Sequence, residues 1–246
     1  DADITLQLRH FFEPRIEASG NKKLLEEIEG PLMHVLADME AEGINLDTAS
    51  LSRLSEELRD DLIKIEEEIY ELAGGQFKIS SPKQVGEVLF DRLKVVEKAK
   101  KTKTGQYATS EDVLAKIQHK HPIIEKILDF RELQKLRNTY VDSLPKLIRE
   151  ETGHIHTSYN QVVAATGRLS SDHPNLQNIP IRTEKGREIR KAFVPRSADY
   201  ELMASDYSQI ELRIMAAMSE DDGMIEAFVK GHDIHSATAA KVYGVP

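Results

Sequence analysis

The sequence predicts an α+β chain: a mostly helical first part with long antiparallel helices, then a part carrying a partial antiparallel sheet. Apolar residues recur every three or four positions through most of the first 150 residues, the period of an amphipathic helix. Glycines and N-cap side chains punctuate that stretch at helix-length intervals. After Gly153 the pattern turns to alternation, in residues 154–161 (HIHTSYNQ) and again in 200–207 (YELMASDY), as half-buried strands require.

Taken in order, Pro31 after Gly30 suits a first helical turn, and the run to Glu42 stops at Gly43. Asp47 caps a longer helix whose stripe of Leu51, Leu54, Leu58, Leu62, Ile65, Ile69 and Leu72 ends at Gly74 and Gly75. Such a stripe needs a partner helix, and a plain coiled-coil seam would serve as well. Ser81 and Pro82 open a further helix through Val85, Val88 and Leu89. Residues 98–110 (KAKKTKTGQYATS) are polar and lysine-rich, with little to pack, and read as a mobile loop. Ser110 with Glu111 and Asp112 starts another helix. Pro122 starts a long one through Ile123, Ile127, Phe130, Leu133, Leu136 and Tyr140, interrupted near Pro145. On it Arg131, Lys135 and Arg137 lie off the apolar stripe, free to face a ligand or water. Pro174, Pro180 and Pro195 imply irregular chain between 160 and 196. Asp206 ends the second expected strand, Ile210, Ile214 and Met218 have helical spacing, and short helices begin near Asp221 and Asp233.

Length and composition exclude several classes. At 246 residues the chain holds one or two domains. It has no cysteine, so disulfide scaffolds, thiol nucleophiles and cysteine-bound zinc or iron are out. No apolar run approaches the roughly 20 residues of a membrane helix, and the opening DADITLQLRH is no secretory signal. A soluble, untargeted chain is expected. An opening Asp without Met, and a close at GVP straight after a helical pattern, read as cuts through a longer chain.

The net charge of −9 argues against a polyanionic partner, but the charge is segregated. Residues 1–97 carry 11 basic and 22 acidic side chains, whereas 98–149 carry 12 and 6. Residues 166–196 carry 7 and 3, and 197–246 carry 3 and 9. Composition alone favours solvated helix faces, yet two local basic blocks also suit phosphates.

Two segments carry candidate chemistry. Thr166 to Pro180 (TGRLSSDHPNLQNIP) is dense in hydrogen-bonding side chains and poor in large apolar ones. Arg168, Asn175, Gln177 and Asn178 are donors that could read minor-groove acceptors common to every base pair. Equally, Asn and Pro make polar surface turns. In SDYSQIELRI, a carboxylate where a strand turns into a helix can hold a hard cation such as Mg²⁺, with Glu211 five residues on. By spacing alone this is weak, since Asp caps helices far more often than it binds metal.

TGRLSS, PNLQNIP, GREIRKAF and DYSQIELRI, in this order, resemble the family A DNA polymerases of the bacterial polymerase I type, the last as motif A. SSPKQVGEVLF, LQKLRNTYVDSLP and HTSYNQ are similar to that family's thumb and its junction with the palm, and DADITLQL to the last 3′-5′ exonuclease motif. The resemblance implies the exonuclease end over 1–20, a helical thumb over 21–150, and the first part of the palm, leading towards the fingers, over 151–246. It makes Asp206 a ligand of two Mg²⁺ ions with the Tyr207 carbonyl assisting, Glu211 a gate against the ribose 2′-hydroxyl, and His235 a neighbour of the nucleotide phosphates. Arg131 and Lys135 would hold DNA behind the primer terminus, with Lys100, Lys101 and Lys103 at the thumb tip. Arg168, Asn175, Gln177, Asn178 and Arg182 would line the duplex, and Asp1 would be an exonuclease remnant. The implied activity is template-directed addition of deoxynucleotides to a primer 3′-hydroxyl in DNA replication and repair. Its partners would be primer-template DNA and deoxynucleoside triphosphates, in a cytoplasmic, nucleoid-associated monomer without membrane contact. The family's nucleotide-closing fingers helix and second catalytic Asp have no match here, so the chain alone is expected to bind DNA but to be catalytically inactive. The alternative is a non-catalytic DNA-binding or assembly module derived from a polymerase thumb and palm.

Overall fold

The computed structural model describes residues 1–244, apart from the side chains of Ala237 and Lys241; Val245 and Pro246, at the end of the expected palm segment, lie outside the described residues. The chain forms two compact units, Asp1–Glu201 and Leu202–Pro246.

In the first unit, helix α1 (Ala2–Ala18) buries no residue, and Phe11 and Phe12 are about half exposed. Helix α2 (Lys22–Leu24), a π turn (Leu25–Glu29) and α3 (Gly30–Glu42) form one continuous run. Pro31 therefore does not open this helix. It is accommodated inside it because the preceding turn is widened to π geometry, where the proline's missing N–H and bulky ring cost less. The chain stops at Gly43, whose φ is 68°. A Cβ there would meet the Ile155 carbonyl at 2.7 Å, so both conformation and close approach require glycine.

Helix α4 (Thr48–Ala73) begins at Asp47, whose Oδ1 accepts from the Ser50 N–H at 3.0 Å, and ends at left-handed Gly74. Of its stripe Leu51, Leu54, Leu58, Leu62 and Ile69 are buried and Ile65 and Leu72 half-buried, and its partner is α7 (Pro122–Leu136), prolonged by a π turn over Arg137–Val141. Ser55 donates to Asp142 at 2.6 Å, whereas Glu68 pairs with Lys126 at 2.5 Å, so the two long helices run antiparallel. The Asp47 hydrogen bonds from Ser50 hold its carboxyl below the ordinary aspartate value. That contribution exists above the unfolded value and is lost as pH falls through the lowered one. Asp47→Ala is expected to lower the thermal midpoint at pH 7, by a margin that shrinks in acid below the ordinary Asp range; a pH series of melts checks this.

The α4 stripe feeds two cores. At one end Leu62 and Ile69 pack with Val85 and Leu89 from the stretch α5 (Pro82–Gly86) and its following π turn, with Leu114 of α6 (Glu111–Ala115), and with Ile123 and Ile127. At the other, Leu51, Leu54 and Leu58 pack with Leu136, Tyr140, Leu144, Ile155 and Ile189. The lysine-rich stretch differs from the expected loose loop. It folds back as a small hairpin, with Thr102 N–H to the Gln106 carbonyl at 2.7 Å and Ala108 N–H to Lys100 at 2.8 Å. Tyr107 anchors it: the ring lies against Gly86 and the hydroxyl donates to Asp91 at 2.5 Å.

Two small antiparallel sheets complete this unit. Strand β1 (Asn45–Leu46) pairs with β4 (Phe193–Val194), and β2 (Ser158–Asn160) pairs with β3 (Ser170–Asp172). Helix α8 (Glu184–Lys191) lies between β3 and β4 in sequence. The division expected at 150 falls inside the unit, because Ile155 exchanges both backbone hydrogen bonds with Ile44 at 2.9 Å and so joins the segments across it. Of the expected strand over 154–161, only Ser158–Asn160 forms a ladder. The one over 200–207 does not form among the described residues. Alternation there had no neighbour to pair with, and Met203 and Tyr207 are 91% and 79% exposed.

The described residues of the second unit form the helices α9 (Ile210–Ser219), α10 (Asp222–Val229) and α11 (Ile234–Tyr243). Asp221 and Asp233 cap the last two, each accepting a backbone N–H at 2.8 Å. Gln209 donates to Asp233 at 2.9 Å, and the Arg213 guanidinium stacks 4.6 Å from the Phe228 ring centroid. Among the described residues no helix is long and apolar enough to cross a membrane.

Candidate nucleic-acid interface

One cleft of the first unit, about 940 Å³, gathers candidates from distant parts of the sequence. Glu111 of α6 with Arg131 and Lys135 of α7 line one side, the segment 177–183 lines the other, and Leu136 and Tyr140 lie between. Lys135, Asn178 and Arg182 are exposed there. The wall 178–182 is fixed through its main chain: the Tyr140 hydroxyl donates to the Asn178 carbonyl at 2.8 Å, Arg190 to Ile179 at 3.3 Å and Arg187 to Arg182 at 3.0 Å. The cleft is not uniformly basic. Asp129 and Glu132 also line it, and burial, with help from Glu125, pushes the Asp129 carboxyl above the ordinary aspartate value.

Several predicted donors turn out to be used internally. The half-buried Arg131 guanidinium donates to the Thr109 carbonyl, anchoring the end of the lysine hairpin, and burial pushes its pKa below the ordinary arginine value. Arg137, expected to be free, pairs with Asp142 at 3.4 Å. Gln177 accepts from the Ser171 N–H at 3.2 Å and donates to the Leu169 carbonyl at 3.1 Å, so its amide braces β3. Asn175 accepts from the Gln177 N–H at 3.0 Å, the turn-making role open to Asn all along. Arg168 is exposed just after Gly167, whose φ is 76°, and does not line the cleft. Asp1 is exposed ahead of α1.

In the second unit Asp206 and Tyr207 are exposed in an irregular segment, not at the end of a strand, and Glu211 and His235 lie in the first turns of α9 and α11. The Ser236 N–H, and His235 more weakly, hold Asp233 below the ordinary aspartate value. No three His, Cys, Asp or Glu side chains converge as a metal site among the described residues. An exposed carboxylate with a main-chain carbonyl beside it fits the oxygen chemistry of Mg²⁺, which binds through one or two carboxylates plus substrate phosphates rather than a preformed cage. Tyr140 was legible as core but not as a wall contact. Helical spacing shows that its ring is buried and says nothing of where its hydroxyl points.

The model of DNA polymerase family A matches residues 48–246. The chain belongs to this family. It is 52% identical over 223 residues to DNA polymerase I of Geobacillus stearothermophilus, covering 91% of this chain and 25% of that protein. Against DNA polymerase I of Pseudomonas aeruginosa it is 49% identical over 248 residues, covering 100% of this chain and 27% of the relative. The chain thus spans about a quarter of the length of the curated relatives it matches. Its fold is similar to the POL domain of Pol1 from M. smegmatis in complex with DNA primer-template and dNTP, with a TM-score of 0.89 and 45% identity, over 98% of this chain and 42% of that one. All the cleft-lining residues, and Asp206, Glu211 and His235, fall within the stretch that matches family A.

Proposed function

We propose that this chain contributes the duplex grip and one catalytic carboxylate of a DNA-directed DNA polymerase, with residues 1–20 closing an exonuclease domain, 21–150 forming the thumb and 151–246 the start of the palm. The observation that carries it is the meeting of Lys135 with Asn178 and Arg182 on one cleft, from segments more than 40 residues apart. The similarity to a polymerase domain bound to primer-template and dNTP supports it. Lys135 and Arg182 neutralise backbone phosphates, and Asn178 offers amide donors to groove acceptors. Arg131, Asn175 and Gln177 act mainly by holding the hairpin and β3, and Arg168 reaches the duplex separately. Asp206, with the Tyr207 carbonyl, is the protein's share of the Mg²⁺ ligands. When bound, two such ions stabilise the attacking and leaving oxygens of phosphoryl transfer. Glu211 excludes a ribose 2′-hydroxyl and His235 stands by the nucleotide phosphates. The primer 3′-hydroxyl attacks the α-phosphate and pyrophosphate leaves. The protein acts as a monomer on chromosomal DNA in the cytoplasm, in replication and repair.

A salt titration of duplex binding tests the grip. Lys135→Ala with Arg182→Ala is expected to weaken primer-template binding at least about tenfold and to lower the slope of log affinity against log salt by about two. Unchanged affinity and slope would sink the assignment of the cleft.

A further inference from the structure

Tyr140 stands apart from the other core residues because one atom of it leaves the core. Tyr140 is 6% exposed and packs in the cluster of Leu58, Leu136, Leu144, Ile155 and Ile189. It also lines the cleft, and its hydroxyl donates to the Asn178 carbonyl at 2.8 Å. The π turn that carries Tyr140 continues α7, the helix that carries Lys135. The hydrogen bond is therefore a direct strut between the two sides of the cleft. We propose that Tyr140 is a positioning residue, whose hydroxyl fixes the spacing between Lys135 on one wall and Asn178 and Arg182 on the other. This rests on the reading of the cleft as the duplex site.

The physical case is one of preorganisation. Asn178, Ile179 and Arg182 each have their carbonyl held from the protein side, by Tyr140, Arg190 and Arg187. Of these three donors only Tyr140 comes from the opposite wall; Arg187 and Arg190 both belong to α8 and hold the wall to its own unit of structure. Losing the phenolic hydroxyl leaves the Asn178 carbonyl without its donor and lets the wall sample other positions, whose reordering on binding subtracts from affinity. Arg187 and Arg190 belong to the basic block of the sequence; each gives one guanidinium N–H to main chain and keeps its charge at the exposed surface.

Tyr140→Phe keeps the ring and removes only the strut. Fluorescence titration of a primer-template duplex with the 246-residue chain is expected to show affinity lowered about two- to tenfold, the worth of one hydrogen bond. The salt slope stays at the parent value, because no phosphate contact is lost. Asn178→Ala is expected to cost less in the Tyr140→Phe background than in the parent, since the displaced side chain already contributes less. Parent-like binding by Tyr140→Phe, or additive losses with Asn178→Ala, overturns the strut, even if the variant melts at a lower temperature. If Lys135→Ala with Arg182→Ala leaves binding unchanged, the duplex reading fails and the strut falls with it. If that pair weakens binding and Tyr140→Phe does not, only the strut fails.

Discussion

Leu58→Ala is expected to reduce the free energy of unfolding by about 2–5 kcal/mol, the cost of deleting a buried leucine side chain and leaving a cavity. Leu58 is 0% exposed, in the first half of α4, in the cluster that also holds Leu136, Tyr140, Ile155 and Ile189. Those neighbours come from α7 and its π turn, the segment after Gly153, and α8, so no single element can close the hole. Against a total stability of about 5–15 kcal/mol for a typical domain, the loss is large. Ile63 on the same helix is 48% exposed, and Ile63→Ala should cost within about 1 kcal/mol. Urea unfolding of the two variants, with the slope unchanged, makes the comparison. Equal midpoints would mean that α4 does not bury the stripe as described.

Features that depend on neighbours in sequence were readable from sequence. The stop at Gly43, the cap at Asp47, the helix end at Gly74 and the helix starts near Asp221 and Asp233 each need only a side chain and the next few backbone groups. Partners distant in sequence were not. The α4 stripe was compatible with a coiled-coil seam, and only the structure shows that α7 covers it. Alternation overcalled the strand at 200–207, because side-chain periodicity describes a face and cannot supply a hydrogen-bonded neighbour. It missed β3, whose Ser170, Ser171 and Asp172 have poor strand propensity. That strand is secured instead by the Gln177 amide and by Thr157, whose hydroxyl reaches the Asp172 carbonyl at 3.1 Å.

The candidate site shows the same limit at the level of single side chains. Arg131 and Lys135 are one turn apart on one face of α7 and were equivalent by sequence. Thr109 captures the first and leaves the second exposed, a distinction set by where a carbonyl from another segment comes to rest. Asn175 and Gln177 are the right residue types for groove donors, yet Gln177 donates to the Leu169 carbonyl and Asn175 is held in a local turn through its Oδ1, which accepts from the Gln177 N–H. Residue type defines a capacity for hydrogen bonding, and the fold decides which partner uses it.

Gly186 gives the cleft wall its second expected large effect. It lies in the first turn of α8, and a Cβ there would sit 2.7 Å from the Pro180 Cβ, 3.1 Å from the Thr183 hydroxyl and 3.2 Å from the Pro180 carbonyl carbon. None of these can swing away cheaply. The proline ring is locked to its backbone, and the Thr183 hydroxyl caps the helix by accepting from the Gly186 N–H at 3.2 Å. Gly186→Ala would gain about 0.5–1 kcal/mol at an unconstrained helical site, so its sign here is diagnostic. The expected result is that Ala destabilises and that Val, with two more methyl groups against the same wall, costs about 1–3 kcal/mol through overpacking. Because Pro180 lies between Asn178 and Arg182, relief of the clash has to move the wall that carries both, so Gly186→Val should also weaken duplex binding. Urea melts and duplex titrations of both variants read these effects together. A stabilised Gly186→Ala would mean that the wall yields freely, and a wall that yields freely could not hold Asn178 and Arg182 in register with Lys135.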